Sequence, residues 1–256
     1  MSFDRKTILK YRKLLKAFDS SLFPDDFESD QQKKVPNPPL QKPYHKDAII
    51  VELIAPDKLT CGTTATLFTT LQNRKSRRSY SEAPLTLEEL SFLLWATQGV
   101  HEVNKHHGSA TKRVVPSGGA RHPFETYLIV NRVEDIEPGL YRYLAIEHKL
   151  LFIKSLKSIK DIEIKEIASQ AFVASGAVVF VWAAIPYRME WRYSIMAHKA
   201  IAQEAGHICQ NLYLACEAVN AGMCSINAYN QELLDNLFEL DGEDEFTVYI
   251  SSVGKL

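Results

Sequence analysis

The stretch Arg113-Val114-Val115-Pro116-Ser117-Gly118-Gly119-Ala120-Arg121-His122-Pro123-Phe124-Glu125-Thr126-Tyr127 joins a segment that cannot be regular structure to one that reads as a buried strand. Within Pro116–Gly119 the glycine pair lets backbone N–H groups approach a ligand with no Cβ in the way, and Pro123 stops any helix that would begin there. The apolar run from Phe124 to Val130 then has the length and composition of an interior strand. Two readings of the loop are open from these residues alone. It either faces a ligand and carries the cationic pair Arg121-His122 to the sheet entry, or it is a surface turn before a strand.

Downstream, Glu137-Pro138-Gly139 marks a turn, and the runs at 140–144 and 149–153 read as a hairpin. Ser158 to Ala174 has helical spacing. The run Ala177-Val178-Val179-Phe180-Val181-Trp182-Ala183-Ala184 is continuous rather than alternating, as in a strand covered on both faces. Arg188 to Tyr193 is dense in cations and aromatics and precedes a long helix, about Ser194 to Asn220. Small residues on that helix, Ala202, Ala205 and Gly206, would admit another backbone closely, and His207 reads as a hydrogen-bonded core histidine. A short helix from Gln231 to Leu237 and a last strand from Phe246 to Ser251 lead into Val253-Gly254-Lys255.

Upstream, Phe3 to Phe18 predicts an amphipathic helix that packs on the body, and the proline-rich segment from Ser20 to Tyr44 predicts an extended arm. A short strand is expected within 46–58, and a helix from Thr63 to Asn73 with Leu67, Phe68 and Leu71 on one face. That helix delivers Arg77-Arg78-Ser79, whose guanidinium forks and hydroxyl are the donors that hold a phosphate dianion, although most basic pairs are simply solvated surface. Thr86 with Glu89 forms a capping box for a helix that ends at Gly99, and His101 to Gly108 reads as a mobile polar loop with no metal site. Helices and strands alternate without a regular βαβ repeat. The expected class is therefore α+β, with a mixed central sheet flanked by helices, divided into an N-terminal helix and arm (1–70) and a main domain (71–256).

Composition sets limits on function. With 46% hydrophobic residues the chain can bury a large core, and 30 basic against 31 acidic residues argue against a nucleic-acid surface as its main business. Cys61, Cys209, Cys216 and Cys224 show no C-x-x-C pairing and read as buried thiols in a reducing compartment. No secretory signal and no membrane-length apolar run is evident, so a cytoplasmic protein without membrane or nucleic-acid partners is expected.

Taken in order, R-R-S, P-L-T-L-E-E-L-S-F-L-L-W-A-T-Q-G, V-P-S-G-G-A-R-H-P-F-E-T-Y, P-G-L-Y-R-Y, R-M-E-W-R-Y, E-A-G-H-I-C-Q-N-L-Y-L-A and a terminal V-G resemble the nitroreductase superfamily, and within it the SagB/ThcOx-type dehydrogenases. The resemblance runs from about Leu71 to Gly254. It implies the nitroreductase fold, an intertwined homodimer and FMN at the interface. By position it implies that Arg77, Arg78 and Ser79 hold the FMN phosphate together with Lys255 after Gly254, and that Pro116, Ser117, Gly118 and Gly119 reach the flavin of the partner subunit. Asn227 and Ala228 would direct backbone N–H groups at flavin N5 and O4, and Gln170 would be a further contact. Arg192 and Tyr193 would line the substrate side.

Two departures stand out. Ser81 occupies a position that is often Lys or Arg in the family, and Arg192-Tyr193 stands where azoline-oxidising members carry Lys-Tyr. Arginine stays protonated and is a poor base, which weighs against azole formation. The expected activity is ping-pong hydride transfer from NAD(P)H through flavin N5 to a nitroaromatic, quinone or similar acceptor. The alternatives are a SagB/ThcOx-like dehydrogenase of a peptide heterocycle and a non-catalytic flavin-binding protein.

Overall fold

The computed structural model describes residues 4–12, 15–16, 23–104, 109–156, 168 and 170–256. In chain order these form α1 (Arg5–Arg12), β1 (Ile50–Glu52), α2 (Leu67–Asn73), α3 (Leu87–Gln98), β2 (Val100–Asn104), β3 (Ala110–Arg113), β4 (Phe124–Val130), β5 (Gly139–Leu144) and β6 (Lys149–Ser155). They continue with β7 (Val178–Ala184), α4 (Tyr187–Tyr193), α5 (Ala197–Ala218), β8 (Ala221–Ile226), α6 (Gln231–Leu237) and β9 (Phe246–Lys255).

Every residue of β4 and of β7 is buried, and the two strands pair along their full length, Phe124 opposite Ala184 and Val130 opposite Val178. Successive side chains on a strand point to opposite faces. Phe124, Leu128, Phe180 and Trp182 therefore enter one core with Leu90, Leu94, Ile208 and Leu212 of α3 and α5. Tyr127, Ile129, Val179 and Val181 enter a second core with Leu234, Phe238 and Ile250. A strand with a core on each face has no polar side to alternate with, which is why 177–184 reads as one apolar run.

Around this pair the sheet has seven strands in the order β1-β6-β5-β4-β7-β9-β8, with helices on its faces, in agreement with the expected α+β class. The named strand pairs are antiparallel, and a parallel bridge from Ser76 to Met223 fixes the Arg77-Arg78-Ser79 segment to β8. The predicted hairpin is β5–β6. The capping box forms as expected: Thr86 Oγ1 accepts from the Glu89 N–H at 3.1 Å, and Glu89 Oε2 accepts from the Thr86 N–H at 3.0 Å.

Several expectations are corrected. Residues 221–226 are a strand that the sequence reading passed over, and β9 runs on through Gly254 and Lys255, so these two are strand residues and not a tail. His101 belongs to β2, which pairs with β3, and its ring lies edge-on to Trp95 at 5.8 Å; His106 and His107 lie outside the described residues. The helix at 158–174 is also mostly outside them, and 171–175 is a short 3-10 turn. Helix α1 leaves Ile8 and Leu9 exposed where packing on the body was expected, and His207 is exposed, not in the core. Cys209, Cys216 and Cys224 are buried, with Cys61 partly so.

Glu125 is the charged residue of β4, 4% exposed, and Arg188 of α4 donates to its carboxylate from an equally buried position. Burial pushes the Glu125 carboxyl up, but Arg188 and Arg142 outweigh it and hold it below the usual range. The arm joins the same network. The Lys42 N–H donates to Glu125 at 2.7 Å, and Arg142 donates to the carbonyls of Lys42 (3.0 Å) and Pro43 (3.2 Å). Removing one partner of a buried pair strands the other charge, which costs about 3–5 kcal/mol. Glu125→Gln should lower stability by that order in urea titration, whereas Glu125→Gln with Arg188→Met should lose less. Equal losses would show that the pair is not the source.

Candidate functional site

The predicted site residues gather at two places in one chain. At the first, the segment after α2 lies on the β8–β9 edge. The Arg77 N–H donates to the Met223 carbonyl at 2.9 Å, and the Tyr80 hydroxyl donates to the carbonyls of Arg77 (2.9 Å) and Ser252 (3.0 Å). Gly222 and Gly254 face each other across β8 and β9. A Cβ on Gly222 would stand 2.7 Å from Arg77 Cδ, and one on Gly254 2.7 Å from the Tyr80 ring, so both glycines are there for close approach.

Charge at this end is already organised. Arg77 donates to both oxygens of Glu217 at 3.0–3.1 Å, and Lys255 Nζ donates to Glu89 Oε1 at 2.6 Å and to the Val219 carbonyl at 2.9 Å. Arg78 and Ser79 are exposed, with the Arg78 guanidinium 5.9 Å from the Phe172 ring, two residues beyond Gln170. The structure thus brings Arg77, Arg78, Ser79, Gly254 and Lys255 to one end of the sheet. Asn227 and Ala228 are exposed immediately past β8. Of the carboxylates that hold Arg77 and Lys255, Glu217 had no role in the sequence reading and Glu89 figured there only as the capping-box partner of Thr86. Their partners come from 140 and 166 residues away.

At the second place, Pro116–Gly119 meets α4 and α5. Gly119 has φ +58°, a left-handed conformation, and a Cβ there would lie 2.8 Å from the Tyr193 hydroxyl and 2.9 Å from Arg192 Cδ. Arg192 itself lies over the Tyr193 ring at 5.5 Å. The Gly118 N–H donates to Glu204 Oε1 at 2.7 Å. Glu204 is 5% exposed, and burial pushes its carboxyl up against the pull of the Gly118 N–H and the Ser117 hydroxyl. It was visible in the sequence as the first residue of E-A-G-H, but nothing in the spacing says that it faces the glycine loop.

Arg121 and His122 are buried where the loop enters β4. Arg121 donates from Nε to the Gly119 carbonyl at 3.1 Å. His122 has φ +46°, its N–H donates to Ser117 Oγ at 2.9 Å, and its Nε2 is 3.0 Å from the Thr111 carbonyl. Burial, reinforced by Arg113, Arg121 and Arg188, depresses the imidazole to about 3. It is therefore a neutral anchor of the loop, in contrast to the cation expected from sequence. A cavity of about 320 Å³ between the arm and α4, lined by Phe27, Asp30, Tyr187 and His198 among others, contains none of the predicted residues.

Comparison with known proteins bears on the family and the fold. The family model described as the nitroreductase family matches residues 71–255. A protein of Methanocaldococcus jannaschii named for the nitroreductases is 30% identical over 185 residues, 72% of this chain and 88% of that one. The trifolitoxin-processing protein TfxB of Rhizobium leguminosarum bv. trifolii is 28% identical over 169 residues, which span 61% of this chain but only 44% of TfxB. Among solved structures, one of Ralstonia eutropha named for the nitroreductases superposes with a TM-score of 0.64 at 26% identity, covering 86% of this chain and 98% of that one.

Two outcomes test the second cluster. Gly119→Ala, disfavoured by both φ and contact, should displace Arg192 and Tyr193 and destabilise the protein by about 1–3 kcal/mol; an unchanged urea midpoint would contradict the geometry. For His122 the folded state binds its proton less readily than the unfolded chain. Its share of stability is therefore present near neutrality and is lost as pH falls from about 6.5 towards 3. His122→Asn should flatten the decline in stability between pH 7 and 4.

Proposed function

The chain belongs to the nitroreductase family of oxidoreductases, and on that premise we propose that it is an FMN-dependent enzyme passing electrons from NAD(P)H to a nitroaromatic, quinone or similar acceptor. The observation that carries the reading is the spacing along α5. Glu204, under the glycine loop, and Glu217, holding Arg77, are thirteen residues apart on one helix, which at 1.5 Å per residue is about 20 Å. A phosphate gripped at Arg77 and a flavin ring walled by Pro116–Gly119 of the same chain are too far apart to be one site. Two copies in antiparallel register would bring the loop of each to the phosphate end of the other.

Surfaces suited to such a pairing are present. On α2, Leu67, Phe68 and Leu71 are 67%, 74% and 53% exposed, and on α5 the position of Gly206 opens onto unfilled space beside exposed Ala202. We infer a homodimer with FMN at its interface, built on these faces.

The residues present fit the cofactor. Arg78 and Ser79 offer exposed donors to a dianion, backed by Arg77 and Lys255, and Gly222 and Gly254 let the Arg77–Tyr80 segment lie close against β8 and β9. Bound FMN supplies a group that takes up and returns two electrons. Asn227 and Ala228 present backbone N–H groups past the end of β8, suited to stabilising negative charge on a ring edge. Tyr193 offers a hydroxyl that can donate or accept a proton on the substrate side. Arg192, always charged, orients an anionic or strongly polarised acceptor there.

The similarity to TfxB supports a second reading, a dehydrogenase acting on a heterocycle derived from a peptide, with Tyr193 moving the proton. Spectra separate the two. Flavin bleached by NAD(P)H and restored by a quinone supports the first; bleaching only by a peptide-derived substrate supports the second. Arg77→Ala should weaken FMN binding about tenfold or more in fluorescence titration, and unchanged affinity would remove Arg77 from the phosphate site. Phe68→Asp with Leu71→Asp should give a monomer by sedimentation that retains little FMN. A monomer that keeps its flavin would refute the shared site.

A further inference from the structure

The family match begins at residue 71, yet the arm before it is tied to the substrate-side residues. Two of its bonds go to Trp191 on α4, which is 4% exposed. Trp191 Nε1–H donates to the Val35 carbonyl at 2.9 Å, and the Gln31 N–H donates to the Trp191 carbonyl at 2.9 Å. A third goes to the glycine loop: Arg121 Nη1 donates to Asn37 Oδ1 while Nη2 donates to the Ser109 carbonyl at 2.9 Å. Between these points the Arg121 guanidinium stacks over the Trp191 ring at 5.2 Å.

The geometry has a consequence for the next residues in the chain. Trp191 immediately precedes Arg192 and Tyr193, and Arg121 Nε holds the carbonyl of Gly119, the residue against which Arg192 and Tyr193 lie. The arm therefore grips both sides of one contact, α4 through Val35 and Gln31, and the loop through Asn37. Lys42 and Leu40 anchor its far end on Glu125 and Arg113. Without the arm, the Arg121–Trp191 stack would keep its cation–π attraction and the bonds of Arg121 to Gly119 and Ser109, but lose one acceptor on each side, Asn37 Oδ1 for Arg121 and the Val35 carbonyl for Trp191.

We propose that the arm is an intramolecular strap, and that Asn37 is a positioning residue which sets Arg192 and Tyr193 against the Gly118–Gly119 loop. The proposal rests on the reading that these two residues line the substrate side. It does not require that the acceptor be known, and it assigns the strap no contact with the flavin.

Asn37→Ala in the full-length, FMN-loaded protein tests it, with Asn37→Asp as the conservative variant that keeps an acceptor for Arg121. Hydrogen exchange read by mass spectrometry should show faster exchange, about tenfold or more, in peptides covering 117–122 and 187–193 of Asn37→Ala, with Asn37→Asp close to the parent. In turnover of NADPH with a benzoquinone, kcat should fall while the FMN dissociation constant stays within twofold, and Asn37→Asp should recover most of the loss. Faster exchange confined to the arm, or an Asn37→Asp variant as impaired as Asn37→Ala, would overturn the proposal. So would FMN loss in parallel with activity, because Asn37 would then support the fold generally. If the parent protein turns over no nicotinamide, the reading of electron transfer from NAD(P)H to an acceptor fails, and the exchange pattern still decides the strap.

Discussion

A carboxylate stands in the middle of the sheet, and much of the molecule is arranged so that it can stay charged. Glu125 lies on a strand with cores on both faces, where an isolated charge would be far too costly to keep. Its neutralisation draws Arg188 from α4, Arg142 from β5 and the Lys42 N–H from the arm into one buried network. Each of these brings something with it. Arg188 fixes the helix that ends in Arg192 and Tyr193, and Lys42 fixes the proline-rich segment whose earlier residues hold Trp191 and Arg121. The setting of Arg192 and Tyr193 thus follows from satisfying a single charge in the core, and the arm belongs to the body because its backbone polar groups complete that network.

The long helix α5 acts as the ruler for the other half of the site. Its buried face seals one side of the sheet, and it places Glu204 under the glycine loop and Glu217 beside Arg77. A rigid helix cannot shorten the gap between them, so a ligand that needs both ends has to find the second one on another chain. The exposed apolar side of α2 and the small, open positions of α5 are consistent with that requirement. They are costly surfaces for an isolated chain and useful ones for a symmetric pair.

Local signals in the sequence translated directly into structure. Thr86 and Glu89 made the capping box, the turn at 137–139 opened the hairpin, and the unbroken apolar run at 177–184 became the doubly covered strand, because each of these depends on residues close together in the chain. The long helix was legible from its 3.6-residue period, while α4 was hidden by its mix of cations and aromatics, in which Arg188 turned out to be buried and Arg192 exposed. Ordered motifs carried the family resemblance, and with it the membership that the comparisons bear out.

What the sequence by itself determined was the fold class, the main strands and helices and the identity of the loop at 116–119. Only the tertiary structure decided which partners the charged residues take. Arg77 meets Glu217, Lys255 meets Glu89, Gly118 meets Glu204 and Asn37 meets Arg121, across separations of 84 to 166 residues. The cation expected at His122 became a neutral anchor for the same reason. Secondary structure follows from propensity and periodicity over a few residues, whereas a side chain's charge state and partner depend on burial, and burial is a property of the whole packed chain.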